Sequence, residues 1–245
     1  MNADVKSFLC DLKEVNDTNT VSINVPSLGK KASFTHFNVN QQKQLLRAAF
    51  EGVEGTIKQS SILNSIVQDN CSTDAELLIT DRTAVMVEMR KAVVGDTVTI
   101  DEEEYSLDTL GEYDSSKLNL TGEVESSGIT ATLKVPTLAN DTAANTKMVA
   151  EISRLTDEKK QTQSVELVLI YEITKYIDKV TLGDNSVNFS ELSIYERKAV
   201  VTELPLSLNN KIIKFISDTK DVETDNTTFE DGTTLTIDAG FLNAE

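Results

Sequence analysis

Imidazole and thiol chemistry are scarce in this chain. Its 245 residues hold one histidine, His36, and two cysteines, Cys10 and Cys71. A zinc site takes about four Cys or His ligands, or three and a water, so zinc has no ligand set here. A Cys–His nucleophile would need distant residues to meet, and no local pattern supports that. His36 lies in a strand-like stretch between Phe34 and Phe37, and a packing or strand-surface role is expected for it. Two cysteines are too few for a disulfide scaffold and fit a reducing compartment as free thiols.

Basic charge is also in deficit, with 23 Lys+Arg against 40 Asp+Glu and a net charge of −17. That balance argues against nucleic acid and anionic membrane as partners, since both require a basic surface. The longest apolar run, Leu167–Tyr171, falls far short of the roughly 20 residues that span a bilayer. The first residues, Met1-Asn2-Ala3-Asp4-Val5, do not read as a secretory leader. Neither a phosphate-binding Gly-x-x-x-x-Gly-Lys loop nor a Gly-x-Gly-x-x-Gly fingerprint occurs. Tryptophan is absent and aromatics are few, which disfavours sugar stacking. A glycosidase, however, needs only two suitably spaced carboxylates, so a cell-wall hydrolase remains the alternative function.

The acids are unevenly placed. Residues 101–128 carry nine acids and one base, and residues 218–245 carry eight acids and one base, which leaves the remaining stretches nearly neutral. Asp101-Glu102-Glu103-Glu104 lacks the ligand spacing of a calcium loop. It reads as a solvated acidic loop, and no metal, cofactor or catalytic residue is assigned. Asp101, Glu102, Glu103, Glu104, Asp221, Glu223 and Asp225 are the candidate partner-binding residues. Acidic segments of this kind suit recognition of a basic partner.

Periodicity predicts an α+β chain: two helical blocks, an N-terminal β-hairpin, a central β insertion and a short C-terminal β tail. The expected segments are 1–37 (β), 38–95 (helical), 96–137 (acidic β insertion), 138–217 (helical) and 218–245 (acidic β tail). Val21–Val25 alternates as a strand, and a second strand over Ala32–Phe37 completes the hairpin. Val39, Leu45, Leu46, Ala49 and Phe50 share a helical face ahead of Gly52. Ile57, Ile62, Leu63, Ile66 and Val67 form a second helix. Thr73-Asp74-Ala75-Glu76 has capping-box spacing and predicts a third helix running to Gly95. Strands are expected over Thr97–Ile100, Lys117–Val124 and Ile129–Val135, the last two joined at Ser126-Ser127-Gly128. Helices resume near Asn145 and over Val165–Ile177. Another opens at the Ser193–Glu196 capping box, and a last one carries Leu208, Ile212, Ile213, Phe215 and Ile216. Phe229, the Asp231-Gly232 turn and Leu235–Ile237 predict the β tail. Asp81 and Arg82 are expected on a helix surface, and Arg90 near a helix C-terminus, where its charge suits the dipole.

Three runs carry a resemblance: Phe37–Arg47 with its Lys-Gln-Leu-Leu, Ile62–Cys71, and Leu77–Arg82 continued by Met89-Arg90-Lys91-Ala92-Val93-Val94-Gly95-Asp96. Together with Val187–Phe189, Glu196-Arg197, Leu204-Pro205 and Ile212–Ile216, they resemble the baseplate hub and hub-assembly proteins of T4-like contractile-tailed bacteriophages over about residues 20–220. The resemblance implies a nonenzymatic structural or assembly role, with baseplate hub and tape-measure proteins as partners. It also implies a location in the host cytoplasm during assembly and in the virion tail baseplate. Some relatives carry a Cys-x-x-Cys ribbon in the β insertion, where this chain has Asp101–Glu104, so no metal is carried over.

Overall fold

The computed structural model describes residues 2–111, 113, 115–238 and 240–242. Helix α1 (Ala3–Thr18) comes first, capped by the Asn2 side chain on the Asp4 amide. Sequence periodicity did not anticipate it. Strands β1 (Thr20–Val25) and β2 (Lys30–Thr35) form the expected antiparallel hairpin, paired from Thr20↔Thr35 to Val25↔Lys30. A 3₁₀ turn begun by Pro26 joins them, and Gly29 closes it at φ +59°. The alternation of β1 and β2 buries Ile23, Val25, Ala32 and Phe34 on one face. His36 is half-buried, its amide donating to the Asn19 carbonyl.

Three helices follow: α2 (Val39–Ala49), α3 (Gly52–Asn70) and α4 (Ile79–Val93). Asn38 and Gln41 make a reciprocal capping box on α2. Leu45 and Ala48 face inward, but Leu46 is exposed and Phe50 is 89% exposed. Phe50 follows the last residue of α2, so the helical period no longer governs where it points. The capping box expected at Thr73–Glu76 does not form, because residues 72–78 are not helical. Instead α4 opens at Ile79, where the Asp81 carboxylate accepts from the Leu78 amide at 2.8 Å.

Strands β3 (Thr97–Ile100) and β4 (Glu103–Ser106) make a separate hairpin. The main sheet is a four-stranded antiparallel meander, β5 (Thr121–Ser126), β6 (Ile129–Lys134), β7 (Ile177–Leu182) and β8 (Asn185–Asn188). Ser127 and Gly128, at φ +56° and +73°, turn β5 into β6 as the sequence foretold. The second hairpin was not foretold. The chain leaves β6 through α5 (Leu138–Ile152) and α6 (Asp157–Tyr176), then returns as β7 beside β6. Helices α7 (Ile194–Glu203), opened by its predicted Ser193–Glu196 box, and α8 (Leu206–Asp225) complete the body. The Phe215 ring of α8 lies on β5 so closely that a Cβ on Gly122 would sit 2.9 Å from it.

Two expectations are corrected at the C-terminal end. Asp221, Glu223 and Asp225 belong to α8 and not to a β tail, because the apolar period of Leu208, Ile212 and Ile216 continues to a buried Val222. Beyond α8, the strand pairing among the described residues is the single Thr228↔Thr234 bridge across the Asp231-Gly232 turn.

One apolar cluster joins every segment. It includes Ile23, Met86, Leu133, Tyr176, Ile212, Phe229 and Leu242, and burying each such side chain contributes about 1.5–3 kcal/mol. A smaller cluster of Ala144, Met148, Ile152 and Tyr171 lies between α5 and α6. Arg90 stands in the last turn of α4, as expected, and is buried there. Its Nε donates to the Phe241 carbonyl at 2.7 Å, its Nη1 to the Gly95 carbonyl at 2.6 Å, and its guanidinium lies 5.4 Å from the centre of the Phe241 ring.

Candidate interaction surface

The acids of residues 101–104 project from the tip and second strand of the β3–β4 hairpin. Asp101 and Glu102 form its two-residue loop at φ +51° and +72°, left-handed values that side chains resist. All four acids, Asp101, Glu102, Glu103 and Glu104, are exposed. Glu112 and Asp114, which add to the predicted charge of this segment, lie outside the described residues.

Tyr105 anchors the hairpin to the residues after α8. Its ring stacks on Phe229 at 4.7 Å, and its hydroxyl lies 3.2 Å from Glu103 Oε2, 3.1 Å from Asp231 Oδ2 and 3.2 Å from Thr233 Oγ1. Farther along, the Gly111 amide donates to the Thr228 carbonyl at 3.4 Å. A Cβ on Gly111 would lie 2.5 Å from the Asp225 carbonyl oxygen. Tyr105 and Asp231 stand 126 positions apart in the chain, so contacts between distant residues bring the two acidic segments side by side. Exposed Glu230 and Asp231 join the set there.

Of the C-terminal candidates, Asp221 and Asp225 sit one turn apart and exposed on α8. Glu223 turns the other way. Its Oε1 is buried without a hydrogen-bond partner among the described residues, and burial pushes its carboxyl up to about 7. Arg82 and Lys220 pull against that shift, while Glu172 and Asp141 reinforce it. A group so placed is not available to a basic partner, so six of the seven candidate acids lie on the surface and one does not.

Glu103 and Asp231 meet on one phenol, and Asp231 does not suit the general acid of a hydrolase. A hydrolytic carboxyl pair requires one carboxyl raised to serve as general acid. Asp231 is instead held below the usual carboxylate range, first by the Thr233 amide at 2.8 Å and also by the Tyr105 hydroxyl. Among the described residues, Glu223 and Asp81 are carboxyls held above their ordinary value, and Asp81 is engaged in the fold. It accepts from the Ser27 amide at 2.8 Å, the Ser27 hydroxyl at 2.6 Å and the Leu78 amide. Burial nevertheless holds it above its ordinary value.

Asp81 and Arg82, expected on the surface, belong to interior polar structure. Arg82 donates to Ser60 Oγ at 2.8 Å and Asn64 Oδ1 at 2.9 Å. Asn64 in turn donates to Asp141 at 2.7 Å. Lys175 completes the network, 2.6 Å from Asp141 and 2.5 Å from Glu172, and Lys220 reaches Glu172 at 2.8 Å. Burial opposes charge on Asp141, Glu172 and Lys175, yet their mutual attraction outweighs it: both carboxyls fall below and the ammonium rises above its ordinary value. This network cross-braces α3, α4, α5, α6 and α8. Its members are committed to one another and not to a ligand.

Tyr105 and Asp231 are the organisers that the sequence reading did not identify as such. The Asp-Gly turn at 231–232 was visible, but which hairpin it would meet was not. Among the described residues, no group of three or more His, Cys, Asp or Glu side chains is placed to hold a metal ion, and no helix is long and apolar enough to cross a membrane. Comparison with curated proteins and with solved structures gives no match. A family model described as T4 bacteriophage base plate protein matches residues 18–231.

Proposed function

The chain belongs to the T4 bacteriophage base plate protein family, and from that premise we propose that it acts without catalysis in the baseplate hub, as a component or assembly factor that holds hub or tape-measure proteins against its acidic end. Membership of the family supports a structural role in the phage tail, among other baseplate proteins. The observation that favours the acidic end as the docking face is the convergence of residues 101–104 with Asp225, Glu230 and Asp231 through Tyr105 and Gly111. Charge gathered at one end steers a basic partner and raises the encounter rate more than the affinity.

The test is copurification of the tagged chain with hub and tape-measure proteins from infected cells at moderate salt. Association is expected, and it should weaken when Asp101→Asn, Glu102→Gln, Glu103→Gln and Glu104→Gln are combined, with helicity unchanged. Failure to associate with either class of protein would sink the proposal. Mass spectrometry of purified particles then separates a resident component from a transient factor.

A further inference from the structure

Basic side chains are in deficit over the chain as a whole, yet four of them line one cavity of about 340 Å³ to which, among the described residues, no acidic side chain contributes. Lys134 comes from the end of β6, Lys147 from α5, Lys175 from α6 and Arg197 from α7. Helical spacing builds two of the walls. Asn140, Ala143, Ala144 and Lys147 share one face of α5, and Ile194 and Arg197 stand one turn apart on α7. The floor is apolar, with Ala144, Ile177 and Phe189 buried.

Two of the four cations are answered within the fold: Lys134 by Asp178 at 2.5 Å, and Lys175 by Asp141 and Glu172. The other two are not. Lys147 is exposed, and its ammonium makes neither ion pair nor hydrogen bond among the described residues. Arg197 is half-buried, and its Nε donates to the Leu192 carbonyl at 3.1 Å, while its two terminal nitrogens have no partner among the described residues. The acid beside it in sequence, Glu196, faces Ser193 in the capping box. Burial holds the Arg197 guanidinium below its ordinary value, and no carboxylate offsets that cost. A planar guanidinium edge matches the two oxygens of a carboxylate. We propose that this cavity binds a carboxylate carried on a short apolar stem, the carboxylate between Arg197 and Lys147 and the stem over Ile177 and Phe189. A free carboxylic acid and a glutamate side chain of a neighbouring protein present this same group. The proposal is independent of which protein docks at the acidic segments.

Titration of the isotope-labelled full chain, followed by NMR at constant ionic strength, tests this. Pentanoate should shift the Arg197 Nε–H and the Lys147 and Ser190 amides saturably in the millimolar range, and the neutral pentanamide should not. Arg197→Gln should weaken pentanoate by about tenfold, and Lys147→Gln, at an exposed position, by about threefold, with the remaining signals unchanged. A capped Ala-Glu-Ala peptide that reproduces the shifts supports the site with a protein side chain as its source; shifts with pentanoate alone support it with a free acid. No saturable shift with either probe overturns the proposal. So does binding that both variants leave unchanged, or pentanamide acting as strongly as pentanoate. Inorganic phosphate acting as strongly as pentanoate also overturns it, since the cavity would then take an adventitious ion only.

Discussion

Replacing Glu223 with glutamine isolates a titration that the fold forces on one carboxyl. In the unfolded chain this group titrates at its ordinary value of 4.5, and in the folded protein at about 7. Between those values the folded state holds a proton that the unfolded state has released, so stability falls as pH rises. The protonated carboxyl contributes fully below pH 4.5, and that contribution is lost by the time pH passes 7. At 1.36 kcal/mol per pKa unit the shift corresponds to at most about 3 kcal/mol, reduced by whatever water reaches the site. Glutamine has nearly the shape of the protonated acid and does not titrate. The variant should match the parent below pH 4.5 and be more stable at pH 8 by up to about 3 kcal/mol, or several degrees in thermal midpoint for a chain of this size. Urea unfolding of both proteins at unit pH steps is the assay. Two stability curves that stay parallel from pH 5 to pH 8 would refute the reasoning.

Lys175→Met should destabilise by about 3–5 kcal/mol, since it leaves Asp141 and Glu172 facing each other without their shared cation; a loss under about 1 kcal/mol in chemical denaturation would show the network to be dispensable. Gly111→Ala drives a methyl against the Asp225 carbonyl and should cost roughly 1–3 kcal/mol, measured the same way. Glu102→Gly relieves a left-handed residue in a two-residue hairpin loop and should stabilise the protein by about 1 kcal/mol, read as a shift in denaturant midpoint at constant slope. Tyr105→Phe keeps the stack on Phe229 but removes the hydroxyl shared with Asp231 and Thr233, so amide exchange should accelerate in β3 and β4 while α3 and α4 keep their protection.

Local signals in the sequence carried much of the fold. The alternation of Val21–Val25, the Ser127-Gly128 turn and the Ser193–Glu196 box each depend on neighbours within a few positions, and each stands where expected. Signals that tertiary context overrode were misread. Thr73–Glu76 has the spacing of a capping box, but the chain there is held extended by a bridge from Leu78 to Thr137, and the helix starts later. Asp81 and Arg82 read as surface charges because burial of an ion depends on partners that come from distant elements. Helix α1 carries Val5, Phe8, Leu9, Leu12 and Val15 at helical spacing, a short stripe ahead of the stronger strand signal of Val21–Val25. For the candidate surface, composition located the acids, but only the packing of Tyr105 and Gly111 brings the two acidic segments together and turns Glu223 away.

The Arg90–Phe241 anchor bears on how the protein is made. Its two residues stand 151 positions apart. At translation rates of about 5–20 residues per second, roughly 8–30 s pass between synthesis of the arginine and of the carbonyl it will hold. Throughout that interval α4 is exposed on the ribosome without the contact that seats its C-terminal end. The nascent chain must therefore keep its first helices from wrong associations until the residues near 241 emerge.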